Sequence, residues 1–226
     1  MQSIAVLPAW NEAPRVWSAV RAVLPFADRV IVVDDGSTDD TAAQAALAGA
    51  TVIRHALNRG QGAALKTGSI AALRLGADII VHVDADGQHD PAMIPELLKP
   101  ILDDKADVVF GSRFLGKEPT GMPWVRKAYF HAARLFNTFA VGIPNTVTDP
   151  QSGARAMNRH AAEILDFRQD GPAHCSEILR LATRADIRWA EVPVHVRYTK
   201  DTLAKGQSFG AAFRILWELL IRGTEK

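Results

Sequence analysis

Cysteine is nearly absent: Cys175 is the only one in 226 residues. No disulfide can form within the chain, a zinc cluster of cysteines is excluded, and a reducing compartment fits. Long apolar runs are absent too. None approaches the roughly 18 to 20 residues that cross a bilayer. The opening MQSIAVLPAW has no basic stretch ahead of an apolar one, so no signal peptide is expected. Charge of one sign is not in excess, since 26 Lys+Arg against 25 Asp+Glu leave a net +1. General polyanion binders carry a clear basic excess, so nucleic acid is not an expected partner. A small anion held by a few local cations stays open.

Two phosphate-binding signatures are also missing. No G-x-G-x-x-G follows the first apolar run, and no G-x-x-x-x-G-K-[ST] occurs anywhere. NRGQGAALKTG, 58–68, is glycine-rich, but its spacing fits neither motif. A dinucleotide dehydrogenase and a P-loop nucleotidase are therefore disfavoured. Those glycines suit a tight turn into a helix. Lys66 within the segment could reach an anion, although a surface lysine is more often simply solvated.

What the chain does have is 48% hydrophobic residues, enough for a sizeable core, in a regular alternation. Short β-branched runs (SIAVLPA, RVIVVDD, TVIRH, ADIIVHVDAD, ADVVFGSR) alternate with helix-like segments. Thr38 or Asp39 is placed to cap the Ala-rich helix after the second run. A helix is expected from about Gly62 to Leu75, and another, opened by proline, over PAMIPELLKPIL. This order predicts an α/β fold with a mostly parallel sheet and helices on both faces. Continuous apolar strands fit a sheet covered on both sides. We find no repeat, low-complexity segment or clear boundary, so residues 1–226 read as one domain. The second half is less regular. It holds two amphipathic segments, about 123–141 and 208–222, which suit either core packing or a membrane surface.

Polar residues gather where the strands end: Asn11 and Glu12, Asp34 and Asp35, Asp84 and Asp86, Ser112 and Arg113. In open α/β sheets ligands bind outside the carboxyl ends of the strands. Asp84 and Asp86, two apart, can point the same way in an extended segment. With the amide oxygen of Gln88 they make a hard, all-oxygen site suited to Mg²⁺ or Mn²⁺, and a metal would relieve the repulsion among the acids. Such a site suits a nucleoside diphosphate. Arg113, Arg197 and Lys205 are candidate phosphate contacts.

LPAWNE, VIVVDDGSTDDT, NRGQGAALKTG, VDADGQHDP, GSRFLG, DPQSGARAMNR, EVPVHVRY and KGQS together resemble the family 2 inverting glycosyltransferases of GT-A fold, and most of all the dolichyl- or polyprenyl-phosphate sugar transferases. The resemblance spans nearly the whole chain in the right order. It implies that Pro8, Trp10, Glu12, Val33 and Asp35 border the nucleotide. Asp84 and Ala85 would contact ribose and diphosphate. Asp86 and Gln88 would hold the metal with Asp84 close by. Arg113, Arg197 and Lys205 would face phosphates, and Asp149 to Gly153 would lie near the sugar and acceptor. The chain departs from the pattern at Trp10, commonly tyrosine in the family, and at Ala154, commonly aromatic. The second change is expected to widen the sugar or acceptor site.

The implied reaction moves a sugar such as mannose or glucose from a GDP- or UDP-sugar to a lipid phosphate, with Asp86 and Arg113 in catalytic roles. A phosphate acceptor is already anionic, so positioning and charge neutralisation suffice. A hydroxyl acceptor would need a base, for which Asp149 is the candidate. Some relatives use interfacial helices or a membrane partner subunit. The expected location is therefore cytoplasmic, with peripheral contact on the cytoplasmic membrane face. The alternatives are the same donor chemistry on a soluble acceptor and a non-catalytic nucleotide-binding module.

Overall fold

The computed structural model describes residues 1–85, 90–115, 138, 142–185 and 187–194. These form one seven-stranded sheet with the order β3-β2-β1-β4-β6-β5-β7. Its strands are β1 Ser3–Ala9, β2 Arg29–Asp34, β3 Thr51–Arg54, β4 Ile79–His82, β5 Val108–Ser112, β6 Arg155–Asn158 and β7 Trp189–Pro193. The helices are α1 Ala13–Val23, α2 Thr41–Leu47, α3 Gln61–Arg74, α4 Ile94–Leu102, α5 Arg159–Ile164 and α6 His174–Arg184.

The apolar runs are continuous because each strand feeds two cores. Successive side chains of a strand point to opposite faces. Ala5, Leu7, Val30, Val32, Ile79 and Val81 therefore join Val20 of α1 and Leu97 of α4 on one face. Ile4, Val6, Ile31, Val33 and Ile80 join Leu65 of α3 and Ile178 of α6 on the other. The expected helix cover on both faces is thus present.

β1 pairs in parallel with β2 on one side and β4 on the other, so the winding direction changes between β1 and β4. Their ladder ends at Val6 and His82, and the strands open toward their carboxyl ends. A crevice at such a switch point is where an open α/β sheet accepts a ligand.

The sheet is mostly parallel, as expected, with β6 running antiparallel to both β4 and β5. Two local readings need correction. The N-cap of α2 is Asp40, and no side chain caps it. Asp39 instead accepts from the Thr41 N–H at 3.0 Å and the Ala13 N–H at 3.2 Å, tying the starts of α1 and α2 together. The run read as a strand through Asp86 ends as β4 at His82. The segments at 123–141 and 208–222 lie, apart from Thr138, outside the described residues.

Asp107 pins the far edge of the sheet. It accepts from Arg188 Nε at 3.0 Å, Arg188 Nη2 at 2.9 Å and Asn158 Nδ2 at 2.9 Å, joining β5, β6 and β7. The Arg188 hydrogen bonds, foremost, hold its carboxyl down at about 2, against a modest burial cost. A carboxyl lowered in the folded state stabilises fully above its unfolded value, near 3.8, and loses that contribution as pH falls through about 2. Arg188 is half exposed, which screens the pair. Asp107→Ala is expected to cost about 1 to 2 kcal/mol in urea melts at neutral pH, with the difference vanishing toward pH 2.

Candidate active site

The carboxyl edge of the sheet gathers a set of acids, each with its own partners. Asp34 is fully buried. Its Oδ1 accepts from the Ser37 N–H at 2.9 Å, and its Oδ2 lies 3.2 Å from Arg54 Nε. Asp35, also buried, faces His55 Nδ1 at 2.7 Å and accepts from the N–H groups of Arg59 at 3.0 Å and Gly60 at 2.7 Å. His55 in turn meets Thr67 Oγ1 at 2.9 Å. Asp35 therefore holds the loop that launches α3.

That loop needs glycine. Gly60 has φ +111°, a region side chains rarely adopt. A Cβ on Gly62 would stand 2.0 Å from the Gln169 carbonyl oxygen. With glycine there, the Asp170 carbonyl accepts from the Gly62 N–H at 2.8 Å and caps the helix. Gln61, the first residue of α3, is thereby aimed across the crevice and donates from Nε2 to Asp84 Oδ1 at 2.7 Å.

Asp84 follows β4 and is half-buried. Its other oxygen faces Gly153, where an added Cβ would stand only 2.7 Å from Oδ2. The DPQSG turn thus comes down on the Asp84 carboxylate through its glycine. At the start of that turn Asp149 is buried and takes a bidentate grip from Arg113, with Nε to Oδ2 at 2.7 Å and Nη2 to Oδ1 at 2.8 Å. The Arg113 N–H adds a bond at 3.1 Å. Glu191 of β7 accepts from the Thr148 N–H at 2.9 Å and the Asp149 N–H at 3.1 Å, anchoring the turn from beneath.

β1 contributes its end. Trp10 follows β1 and is 53% exposed. Asn11 takes a positive φ of 52° and accepts from the Thr38 N–H at 2.9 Å, stitching the first two strand ends together. Glu12 pairs with Arg15 at 2.6 Å, and Pro8 is half-buried beneath them.

Of the residues expected here, Pro8, Trp10, Glu12, Asp35, Asp84, Arg113 and Asp149 all reach this edge. Val33 and Ala85 do not offer side chains to it. Both are buried in the cores, Val33 against α3, so only their main chain can border a ligand. Ala154 is fully buried in the core as well, so its small size is absorbed by packing rather than widening the cleft. Lys66 pairs with Asp166 at 2.6 Å in a solvent-exposed contact. Asp86, Gln88, Arg197 and Lys205 lie outside the described residues, and no cluster of three acid, histidine or cysteine ligands occurs among the described ones. His55, Gln61 and Glu191 were not anticipated. Their partners stand 12 to 43 positions away in sequence, so no local spacing signals them.

The family 2 glycosyl transferase model matches residues 4–165. The chain belongs to glycosyltransferase family 2. It is 34% identical over 237 residues to the UDP-N-acetylglucosamine–dolichyl-phosphate N-acetylglucosaminyltransferase of Methanococcus voltae, covering 96% of this chain and 94% of the relative. It is 30% identical over 225 residues to the polyprenol monophosphomannose synthase of Mycolicibacterium smegmatis, covering 94% and 83%. The fold matches that of glucosyl-3-phosphoglycerate synthase from Mycobacterium tuberculosis, solved with Mn²⁺, UDP and phosphoglyceric acid. The TM-score is 0.74 at 24% identity, covering 98% of this chain and 78% of that one. The expected GT-A architecture is thus present, and the chain is a glycosyltransferase.

The Gly153 contact yields a direct test. In Gly153→Ala the new methyl group must displace the Asp84 carboxylate, a movable side-chain end, rather than backbone. Binding of a nucleoside diphosphate with Mn²⁺, measured by calorimetry, is expected to weaken by at least about tenfold, roughly 1.4 kcal/mol. The melting temperature should barely change.

Proposed function

We propose that this glycosyltransferase moves a sugar, mannose, glucose or a similar one, from a GDP- or UDP-sugar to a polyprenyl or dolichyl phosphate with inversion. The observation that carries the reading is the Arg113–Asp149 pair beside Asp84. It sets a fixed cation at the acidic strand ends and holds Asp149, the candidate base, in a bidentate ion pair. Relatives of nearly full length are named as transferases to such lipid phosphates, which supports the acceptor class.

The acceptor phosphate carries its own negative charge, so its oxygen can attack the anomeric carbon directly. The new carbon–oxygen bond forms as the bond to the nucleoside diphosphate breaks, and the electron pair leaves with the diphosphate. Trp10 would stack on the base, and the loop held by Asp35 would line the nucleotide. Arg113 would neutralise phosphate charge, with Asp149 fixing its orientation and Arg197 and Lys205 adding cations. The Asp84 carboxylate, cradled between Gln61 and Gly153, fits an oxygen ligand set shared with Asp86 and Gln88. Mg²⁺ or Mn²⁺ held there would offset the charge of the departing diphosphate. A lipid acceptor implies contact with a membrane surface, through the segments at 123–141 and 208–222 or a membrane partner subunit. The described residues hold no helix long and apolar enough to span a bilayer. Such contact would place the enzyme at the cytoplasmic membrane face.

The test is incubation of GDP-mannose, UDP-glucose or UDP-N-acetylglucosamine, each labelled in the sugar, with polyprenyl phosphate and Mn²⁺. Label is expected to move into the organic phase. Transfer only to water-soluble acceptors would replace the lipid reading with the soluble-acceptor one. Asp86→Ala is expected to lower turnover at least about a hundredfold, the scale of losing one preorganised electrostatic contact, with an unchanged melt. Near-normal turnover in that variant would defeat the metal assignment.

A further inference from the structure

Behind the DPQSG turn lies a cationic cluster that the transfer reaction does not use. Arg155 of β6 is fully buried. Its Nε donates to the Gly153 carbonyl at 3.3 Å and its Nη2 to the Ser152 carbonyl at 3.1 Å. The same Nη2 donates to Cys175 Sγ at 3.2 Å and lies 3.5 Å from His174 Nε2. Nη1 has no hydrogen-bond partner. His174, also fully buried, donates from Nδ1 to the Gly171 carbonyl at 2.8 Å, so Nε2 faces the cluster. Cys175 Sγ is 3.4 Å from that Nε2.

A buried guanidinium needs a compensating anion. Among the described residues no carboxylate pairs with Arg155. Glu177, one turn along α6, is taken by the N–H groups of Arg168 and Gln169. Asp84 acts on His82, whose side chain is buried on β4. Burial holds His82 well below the usual histidine range, and the charges of Arg155 and His174 add to that. The acid that touches the guanidinium is the thiol.

We propose that Cys175 is a thiolate counter-ion to Arg155 and a covalent modification site for soft electrophiles and disulfides. Burial pushes the thiol up, but the charges of His174 and Arg155, and hydrogen bonds from both, outweigh it and bring the group down to about 6. Cys175 is partly exposed as a residue, the route by which small reagents would reach its sulfur. With iodoacetamide the sulfur lone pair forms the carbon–sulfur bond, and iodide leaves with its electron pair. With glutathione disulfide the sulfur attacks one disulfide sulfur, the mixed disulfide forms, and glutathione leaves as a thiolate. Either product is neutral at sulfur. Arg155 then lacks its anion, and the Ser152–Gly153 turn that the same guanidinium holds is loosened.

The experiment uses the full chain. Iodoacetamide labelling of Cys175 is followed by mass spectrometry from about pH 5 to 9. The rate is expected to reach half its maximum near pH 6 and to level off above about 7.5. In Arg155→Met, and in His174→Gln should the first variant fail to fold, the midpoint is expected to move toward the ordinary thiol range near 8.5. A wild-type rate that rises only above pH 8, or labelling seen only in urea, would overturn the proposal. Hydrogen exchange over 149–158 is then compared before and after full labelling. Exchange several-fold faster is expected, while Cys175→Ser treated alike should not change on exposure to reagent. Unchanged exchange in the fully labelled wild type would overturn the counter-ion role. Both readouts concern the thiol and the turn, so they stand apart from the outcome of any transfer assay.

Discussion

Everything at the working edge of this protein follows from crowding carboxylates where strands end. Asp34, Asp35, Asp84 and Asp149 sit at one rim, and all but Asp84 are buried. Like charges at such spacing oppose folding unless each is met by donors. Asp34 takes an amide and Arg54, Asp35 takes a histidine and two amides, and Asp149 takes both arms of Arg113. Each solution also positions a loop. The cost of burying the acids is offset by bonds that fix the rim's geometry.

Asp84 is the member turned toward the crevice. It meets an amide nitrogen from Gln61 on one side and the bare backbone of Gly153 on the other. The glycine loop at 60–62 aims Gln61, and the Arg155 guanidinium holds the carbonyls of Ser152 and Gly153. The crevice is thus defined by two turns, one on each side, both tied down by buried polar groups. The opening between β1 and β4 gives them room to converge, because the two strands stop pairing after Val6 and His82.

The first half of this architecture is plain in the sequence. The two-sided burial of β1, β2 and β4 writes itself as unbroken apolar runs, and glycine and proline mark the turns. β6 is different. Its RAMN carries a buried arginine whose Nε and Nη2 meet carbonyls, a histidine and a thiol from α6, so no hydrophobic pattern announces it. β7 is only half-buried along its length and gives a similarly weak signal. Within the site, acids two apart or adjacent to an apolar run are legible, as Asp35 and Asp84 are. Their partners are not, because His55, Gln61 and Glu191 act across long sequence separations. Sequence also does not say which way a side chain faces: Val33, Ala85 and Ala154 all turn theirs into the core, which leaves the main chain of Val33 and Ala85 to border a ligand.

We infer that this acidic rim seats a nucleoside diphosphate through a divalent metal. Calorimetric titration with GDP and with UDP, each in Mn²⁺ and again in EDTA, tests it most directly. One nucleotide is expected to bind in Mn²⁺ and to bind at least about tenfold more weakly in EDTA. Equal affinity with and without the metal would contradict it, as would no binding of either nucleotide under both conditions.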